Sequence, residues 1–261
     1  MLQFPNFNPY IFKLGPIHPT WYGLMYVIGF GCAYLLGVRR TKSNPAWTKE
    51  DVSDLMTYLM LGVVLGGRIG YVLFYGMGYW ARDWLYPLKI WEGGMSFHGG
   101  LLGVIFLLWL FGRKKGKAFW AVADYVAPMI PPGLFFGRIG NFINGELWGR
   151  PTDLPWGMVF PGTGDGIPRH PSQLYEAGLE GIVLFIAVWF YSAKPRRSGQ
   201  VAGLFLVLYG IFRSLVEMVR QPDGQVNFLI GEITMGQALS LPMIVFGLWL
   251  MLRRGLRASV S

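Results

Sequence analysis

Long apolar runs make up most of the chain and alternate with short polar stretches. Seven of these runs approach twenty residues, the length at which a helix crosses about 30 Å of hydrocarbon. The pattern therefore predicts an all-α integral membrane protein with about seven transmembrane helices. The predicted helices lie at residues 20–38, 53–75, 95–112, 118–136, 173–193, 199–217 and 235–252.

Composition supports this prediction and argues against a soluble domain. Of the 261 residues, 53% are hydrophobic and only 14% are charged, whereas soluble domains carry about a quarter charged residues. Residues 1–19 contain neither a basic n-region nor a small-residue cleavage site, so we do not expect a removable signal peptide. We expect one membrane-embedded domain over residues 1–261, with an outer arm at 1–19 and an outer loop region at 137–172.

The basic residues, which give a net charge of +9, concentrate after the first, third, fifth and seventh runs. The positive-inside rule makes these loops cytoplasmic, which places the N-terminus outside and the C-terminus in the cytoplasm. The clusters therefore report topology and contact with anionic membrane lipids, and we expect no nucleic-acid partner. The longer polar segments, including 76–94 and 221–234, fall on the outer side, where we expect the working surface. The clusters are Arg39, Arg40, Lys42 and Lys49; Arg113, Lys114, Lys115 and Lys117; Lys194, Arg196 and Arg197; and Arg253, Arg254 and Arg257.

Three glycines in the second run recur every four residues. Gly62, Gly66 and Gly70 therefore share one face of the predicted helix. Small residues at this spacing let a second helix approach closely. We expect this face to pack against another helix.

Three arginines interrupt the apolar runs. Arg68, Arg138 and Arg213 each lie in the outer half of a run that passes from inside to outside. An arginine within the bilayer is costly, so each needs a partner or a purpose. Together they can converge on one anion, and a lipid phosphate, which guanidinium groups bind well, is the anion found at that depth. The alternative is that each side chain only reaches to the outer headgroups.

The sixth run carries a polar stripe in which Tyr209, Arg213, Glu217 and Arg220 share one helix face. Glu217 can pair with both arginines along the helix. On one interpretation Glu217 orients the arginines while Tyr209 and Arg213 face a ligand. On the other, the stripe is an ion ladder that satisfies itself.

Two histidines on the predicted outer side are candidates for proton transfer or binding. His98 lies at the start of the third run, among glycines that leave space around it. His170 lies in the stretch RHPSQLYE, which leads into the fifth run with Glu176 and Glu180 near its start. Histidine is suited to accepting a proton near neutrality, although a lone histidine at an interface is commonly only hydrogen-bonded.

The stretch GRIGNFINGELWGR, residues 137–150, combines four glycines with Asn141, Asn144 and Glu146. Glycines permit tight turns and close approach to a ligand, and the amides can donate and accept hydrogen bonds. Backbone of this kind at membrane depth is tolerated where protein buries it or water reaches it, so we expect a polar cavity here. The sequence contains no HExxH, CxxC or GxSxG motif, and we expect neither a metal nor a cofactor.

Several motifs together resemble the bacterial phosphatidylglycerol–prolipoprotein diacylglyceryl transferases. Members of this family transfer the diacylglyceryl group of phosphatidylglycerol to the thiol of a lipobox cysteine in a preprolipoprotein, and glycerol 1-phosphate is released. The resemblance implies an inner-membrane enzyme with seven spans whose nucleophile belongs to the substrate, so Cys32 is not needed for the chemistry. The motifs are WYGLMY (21–26), GGRIGYVLFY (66–75), GGMSFHGGLLG (93–103), GRIGNFINGELWGR (137–150), RHPSQLYE (169–176), FRSLVEMVRQPD (212–223) and TMGQ (234–237).

The resemblance also implies roles for individual residues. Arg138 and Arg213 match essential arginines, which would hold the lipid phosphate, and His98 matches a catalytic base that would help deprotonate the thiol. Other positions that match residues implicated in binding or activity are Tyr22, Asn141, Glu146, Gly149, Tyr209, Glu217 and Arg220. The residue patterns alone add three more residues to the expected substrate site: Arg68, Asn144 and His170.

Two other activities are compatible with an outward-facing arginine site. A lipid or anion transporter predicts polar groups in both halves of the bilayer, whereas the inner halves of the runs are nearly free of them. A lipid-phosphate phosphatase would release phosphate without any thiol acceptor.

Overall fold

The computed structural model describes residues 2–5, 7–14, 18–221 and 234–253. Most of the predicted outer loop 221–234, parts of the N-terminal arm, and Arg254 and Arg257 lie outside these described residues. The chain divides into two compact units. The first unit comprises Met1–Leu36 and Asp124–Ser261, and the second comprises Gly37–Ala123.

Helices account for nearly all regular structure among the described residues. They are α1 (Trp21–Thr41), α2 (Lys49–Phe74), α3 (Met77–Trp80), α4 (Phe97–Lys114), α5 (Phe119–Val126), α6 (Ile130–Ile143), α7 (Ser172–Glu176), α8 (Leu184–Tyr191), α9 (Gln200–Glu217) and α10 (Met235–Leu252). A π-helical segment, Ala177–Val183, joins α7 and α8 into one continuous helix. Short 3₁₀ turns occupy Tyr86–Leu88, Ile90–Glu92, Ala127–Met129 and Pro161–Thr163.

Six helices in the described part of the chain are long and apolar enough to cross a membrane. They are Trp21–Thr41, Lys49–Phe74, Phe97–Lys114, Ser172–Tyr191, Gln200–Glu217 and Met235–Leu252. Their outward faces carry large apolar side chains such as Phe74, Leu102 and Phe190, which are 75%, 65% and 70% exposed. Apolar surface of this extent fits contact with lipid, and the fold is that of an all-helical membrane protein.

The predicted span 118–136 differs from the other six because it is not one long helix. α5 ends at Val126, and the turn Ala127–Met129 separates it from α6. Pro128 lies in that turn and Pro131 in the first turn of α6. Proline has no backbone N–H to donate and its ring clashes with the preceding helical turn, so it breaks a helix or begins one.

α6 also extends further than the sequence predicts. It continues to Ile143, so the first half of the stretch 137–150, expected as loop, is helical. Arg138 consequently lies inside α6 instead of at the end of a span.

In the second unit, α2 and α4 pack through glycines as the sequence predicts. A Cβ placed on Gly66 would lie 2.5 Å from the Gly99 carbonyl oxygen and 2.8 Å from the Gly103 Cα. A Cβ on Gly70 would lie 2.6 Å from the Gly99 Cα, and one on Gly62 would lie 2.8 Å from the Val104 Cα. Any side chain at these positions would push the two helices apart.

In the first unit, glycines also set the spacing of α9 and α10. A Cβ on Gly203 would lie 2.7 Å from the Gly247 carbonyl oxygen, and a Cβ on Gly247 would lie 2.7 Å from the Gly203 carbonyl oxygen. Asp124 fixes the start of α9, since its carboxylate accepts hydrogen bonds from the backbone N–H of Gly199 (2.6 Å) and Ala202 (2.8 Å). A carboxylate at a helix N-terminus satisfies backbone donors that otherwise have no partner.

A small three-stranded sheet lies in the first unit. Its strands are β1 (Leu2–Gln3), β2 (Met158–Val159) and β3 (Pro168–Arg169), with β2 in the middle. The Phe4 ring, next to β1, links the sheet to α6, because its centroid lies 5.3 Å from that of Phe142 in α6. It also lies 5.1 Å from the ring of Phe160, which follows β2.

Candidate active site

Arg138 reaches a neighbouring helix because little space separates α6 from the π-helical segment. A Cβ on Gly181 would lie 2.6 Å from the Phe135 Cβ, so the two helices touch there. Arg138 follows Phe135 by about one turn of α6 and meets two glutamates of the neighbouring helix. Its Nε lies 3.0 Å from Glu176 Oε2, and its Nη2 lies 3.7 Å from Glu180 Oε2.

α9 brings a second arginine to the same carboxylate. Arg213 Nη1 lies 2.7 Å from Glu176 Oε1, and Arg213 Nη2 lies 2.8 Å from Glu217 Oε2. The Arg213–Glu217 pair expected along this helix is therefore present. Arg220 Nε lies 3.8 Å from Glu176 Oε1. We call this group the arginine–glutamate cluster: Arg138, Glu176, Glu180, Arg213, Glu217 and Arg220.

Burial differs between the two kinds of residue in the cluster. The side chains of Glu176 and Glu180 are 0% exposed, whereas those of Arg138 and Arg213 are 20% and 15% exposed. Neither Glu180 oxygen accepts a hydrogen bond from any residue that the structure describes. The part of the cluster that a ligand can reach is therefore cationic.

Glu176 and Glu180 face the cluster together because they lie four residues apart on one helix. Glu176 ends α7, and Glu180 lies in the π-helical Ala177–Val183. Single π-helical turns within α-helices are frequent at functional sites. The site expected from the sequence does not include Glu176 or Glu180. The sequence feature that could have identified them is a pair of acidic residues, four positions apart, in an otherwise apolar run.

The end of α6 holds the start of α7 through Glu146 and Leu147. Asn141 and Asn144 donate to Glu146 Oε1 at 2.8 Å and 3.3 Å. Gln173 Nε2 donates to the Glu146 carbonyl at 2.5 Å, and Ser172 Oγ donates to the Leu147 carbonyl at 2.9 Å. These bonds fix the first turn of the helix that carries Glu176 and Glu180.

Gly149 lies where three chain segments meet. Its N–H donates to the His170 carbonyl at 2.8 Å, the His170 N–H donates to the Arg150 carbonyl at 3.0 Å, and the Arg150 N–H donates to the Val219 carbonyl at 2.8 Å. A Cβ on Gly149 would lie 2.6 Å from both the His170 Cβ and the Val219 oxygen. Only glycine fits this close approach, which ties the stretch 137–150 to the end of α9 and to Arg220.

His170 is hydrogen-bonded next to this junction. Its Nδ1 lies 3.2 Å from the Tyr175 hydroxyl, which accepts a hydrogen bond from Trp156 Nε1 at 2.8 Å. Burial lowers the pKa of His170 below its usual value of 6.5, because burial disfavours the charged ring. Its expected part in substrate binding stays a prediction.

Two tyrosines of the expected site pack on helices of the first unit. Tyr22 on α1 lies against α6, since a Cβ on Gly140 would lie 2.9 Å from the Tyr22 Cδ2. The Tyr22 hydroxyl is hydrogen-bonded to that of Tyr26 at 3.0 Å. Tyr209 stacks on Phe205 of the same helix, with ring centroids 5.9 Å apart and an interplanar angle of 10°.

Arg68, in the second unit, is hydrogen-bonded through its guanidinium to backbone carbonyls. It donates to the carbonyls of Tyr86 at 2.6 Å and Pro87 at 3.2 Å, and also to those of Gly93 and Gly94. Its side chain is almost fully buried, and it lies 4.6 Å from the centre of the Tyr86 ring. These contacts tie the loop 86–94 to α2 through Arg68, and the expected part of Arg68 in substrate binding stays a prediction.

His98, also in the second unit, lies exposed in the first turn of α4. Ser96 caps this helix by accepting from the Gly99 N–H at 3.2 Å, and its own N–H donates to the Gly67 carbonyl at 2.9 Å. The start of α4 is thus tied to α2, and this fixes the backbone position of His98. The expected role of His98 as a base stays a prediction.

The chemistry available at the arginine–glutamate cluster is anion binding. Within the described ranges, no group of three or more His, Cys, Asp or Glu side chains is arranged to hold a metal ion. Preorganised guanidinium groups in a site that excludes water stabilise negative charge much more strongly than they do in bulk solvent.

Comparison with known proteins assigns the chain to a family. The family model described as prolipoprotein diacylglyceryl transferase matches residues 9–253. The phosphatidylglycerol–prolipoprotein diacylglyceryl transferase of Solidesulfovibrio magneticus is 59% identical over 257 residues, 97% of each chain. The enzymes of the same name from Nitratidesulfovibrio vulgaris strain DP4 and Bordetella avium are 58% and 57% identical, over 96% and 99% of each chain. The chain therefore belongs to the prolipoprotein diacylglyceryl transferase family.

Proposed function

We propose that the protein transfers the diacylglyceryl group of phosphatidylglycerol to the lipobox cysteine thiol of preprolipoproteins, the first step of lipoprotein maturation. Relatives that carry the name of this activity align with almost the whole chain. The structural observation that carries the proposal is the pair Arg138 and Arg213, from two different helices, meeting at the buried Glu176. The partly exposed guanidinium groups suit the phosphodiester of an anionic lipid.

The reaction exchanges one bond at a glyceryl carbon for another. The cysteine sulfur attacks the carbon that bears the phosphate, and the S–C bond forms as the C–O bond breaks. The electron pair of that bond leaves with the oxygen of glycerol 1-phosphate. The thiol proton passes to a base, to which we assign His98 on the motif GGMSFHGGLLG that it occupies. The nucleophile is the substrate's own thiol, so Cys32, the single cysteine of the chain, has no part in the step.

Arg138 and Arg213 accelerate this step because the charge on the phosphate increases as the C–O bond breaks. A phosphodiester carries one negative charge, and the departing monoester approaches two. Cations fixed beside the phosphate therefore bind the transition state more tightly than the bound lipid, which is the condition for catalysis.

The remaining residues of the expected site support these groups. Glu217 holds Arg213, and Gly149 permits the junction that positions Arg220 and His170. Asn141, Asn144 and Glu146 brace the start of α7. We place three further residues at the surface that binds the lipid and the signal peptide: Tyr22, His170 and Tyr209.

For topology, we propose seven spans, with the broken α5–α6 segment as the fourth. The basic clusters then face the cytoplasm, the N-terminus lies outside, and the site opens toward the periplasmic face of the bacterial inner membrane. The proline-interrupted backbone between α5 and α6 fits this assignment because non-helical backbone at membrane depth must be buried in protein. Ala127 and Met129, in the turn that joins them, are 1% and 2% exposed.

The test is transfer by the purified protein in micelles that contain phosphatidylglycerol and a lipobox peptide. The peptide is expected to gain one diacylglyceryl mass for each glycerol 1-phosphate released, and a peptide with serine in place of cysteine is expected to gain none. Hydrolysis of the lipid without peptide would instead indicate a phosphatase, and lipid movement across vesicles without any reaction would indicate a transporter.

A histidine pair tests the assignment of the base. His98→Ala is expected to lower kcat by about 100-fold or more, the usual contribution of a general base. His18→Ala, in the N-terminal arm, is the matched control and is expected to keep the wild-type rate. A wild-type rate in His98→Ala would reassign the base.

A further inference from the structure

Glu176 differs from Glu180 and Glu217 because it contacts arginines of two different neighbouring helices. Glu217 pairs with Arg213 on its own helix, and Glu180 lies 3.7 Å from Arg138. Glu176 contacts Arg138 of α6 through Oε2 at 3.0 Å and Arg213 of α9 through Oε1 at 2.7 Å. One carboxylate thus fixes two arginines from two helices relative to each other.

The position of Glu176 is itself fixed. Its side chain is 0% exposed, and Ser172 and Gln173, one turn earlier, are hydrogen-bonded to the backbone of Leu147 and Glu146. A free arginine or lysine side chain carries about 2 kcal/mol of rotamer entropy, which orientation by a rigid partner removes before a ligand binds. Glu176 therefore holds both guanidinium groups in one arrangement in the absence of substrate.

Glu176 also opposes the binding of an anion. Its negative charge lies beside the same arginines that a phosphate would contact, and the charges interact strongly where water is excluded. An arginine pair without this carboxylate would attract a phosphodiester more strongly but would be less well aligned. Removal of Glu176 therefore worsens the alignment of the two arginines and increases their affinity for the phosphodiester.

We propose that Glu176 is the positioning residue of the phosphate site, which aligns Arg138 and Arg213 for the departing phosphate and weakens their hold on the bound lipid. This inference rests on the function proposed above. Loss of Glu176 is expected to lower kcat, because the arginines contribute most when charge develops on the leaving group. Loss of an ion pair that only stabilises the fold would not have this effect on kcat.

Glu176→Gln tests this proposal, because kcat and KM are each expected to change in a stated direction. The variant is expected to lower kcat by about 100-fold, the loss that a misplacement of about 1 Å causes in a reacting group. Its KM for phosphatidylglycerol is expected to fall, and glycerol 1-phosphate is expected to inhibit it more strongly than the wild type. Glu176→Asp, which keeps the charge on a shorter side chain, is expected to restore the wild-type KM and part of kcat.

Asp124→Asn is the matched control for loss of a half-buried carboxylate in the same unit. Asp124 caps α9 and contacts backbone N–H groups instead of arginines, so the variant is expected to unfold at a lower temperature with unchanged kcat and KM. An unchanged kcat in Glu176→Gln, a KM that rises as kcat falls, or equal constants in Glu176→Gln and Glu176→Asp would each overturn the inference. Wild-type protein that transfers no lipid would instead overturn the proposed function.

Discussion

Replacing Gly149 by alanine places a methyl group where three backbone segments meet. The new Cβ would lie 2.6 Å from the Val219 carbonyl oxygen and from the His170 Cβ, and 2.8 Å from the His170 carbonyl oxygen. Non-bonded heavy atoms prefer separations of about 3.5 Å or more, so the segments must move apart by roughly 1 Å. The obstacles are largely backbone atoms, which cannot turn away as a flexible side chain can.

The cost of this movement follows from the contacts it breaks. Overpacking costs about 1–3 kcal/mol, and each weakened hydrogen bond among Gly149, Arg150, His170 and Val219 costs about 0.5–1.5 kcal/mol. With three such hydrogen bonds the total is about 2.5–7.5 kcal/mol, which should lower the unfolding temperature by at least about 5 °C. Transfer activity should fall as well, since the junction positions Arg220 beside Glu176.

Thermal unfolding in detergent micelles, followed by tryptophan fluorescence, measures the effect. Gly137→Ala is the matched control, because a Cβ on Gly137 would meet no atom within 4 Å and alanine favours a helix over glycine by about 1 kcal/mol. That variant should unfold at the wild-type temperature or above it. An unfolding temperature of Gly149→Ala within about 1 °C of wild type would refute the close-approach argument.

Two further predictions concern packing in the second unit and acid stability in the first. Gly66→Ala should destabilise the protein by about 1–3 kcal/mol, since its Cβ would lie 2.5 Å from the Gly99 oxygen, and an unchanged unfolding temperature would contradict the packing described. The hydrogen bond from Arg169 lowers the pKa of Asp165 to about 2, aided by the backbone N–H of Ile167. Because the folded pKa lies below the usual 3.8, this contact stabilises the fold above about pH 4 and is lost as the pH falls toward 2. The unfolding temperatures of wild type and Asp165→Asn should therefore converge on acidification, and a constant difference would contradict the assignment.

The sequence was sufficient to predict the fold where a local pattern is compatible with only one structure. Apolar runs near twenty residues became six long helices, and the four-residue repeat of Gly62, Gly66 and Gly70 became the face that packs on α4. The fourth run, residues 118–136, did not become one helix. Its average hydropathy hid the backbone effect of Pro128 and Pro131, which interrupt the hydrogen-bonding pattern whatever the side chains around them.

The candidate site was predictable only in part because its contacts join distant segments. The pair Arg213–Glu217 follows from spacing on one helix, but contact of Glu176 with arginines of α6 and α9 depends on tertiary packing. The hydrogen bonds of Arg68 show the same limit. Its position in an apolar run indicates that the guanidinium needs partners, but its contacts with carbonyls of the loop 86–94 depend on tertiary packing.

A double-mutant cycle of lipid transfer tests whether Arg138 and Arg213 hold one phosphate together. Each single alanine variant is expected to lower kcat/KM by about 10²–10³-fold, the usual effect of losing one oxyanion donor. Groups that act as a unit are strongly non-additive, so the double variant should lose little more than either single one. A wild-type rate in either single variant, or losses that multiply fully in the double variant, would contradict the claim.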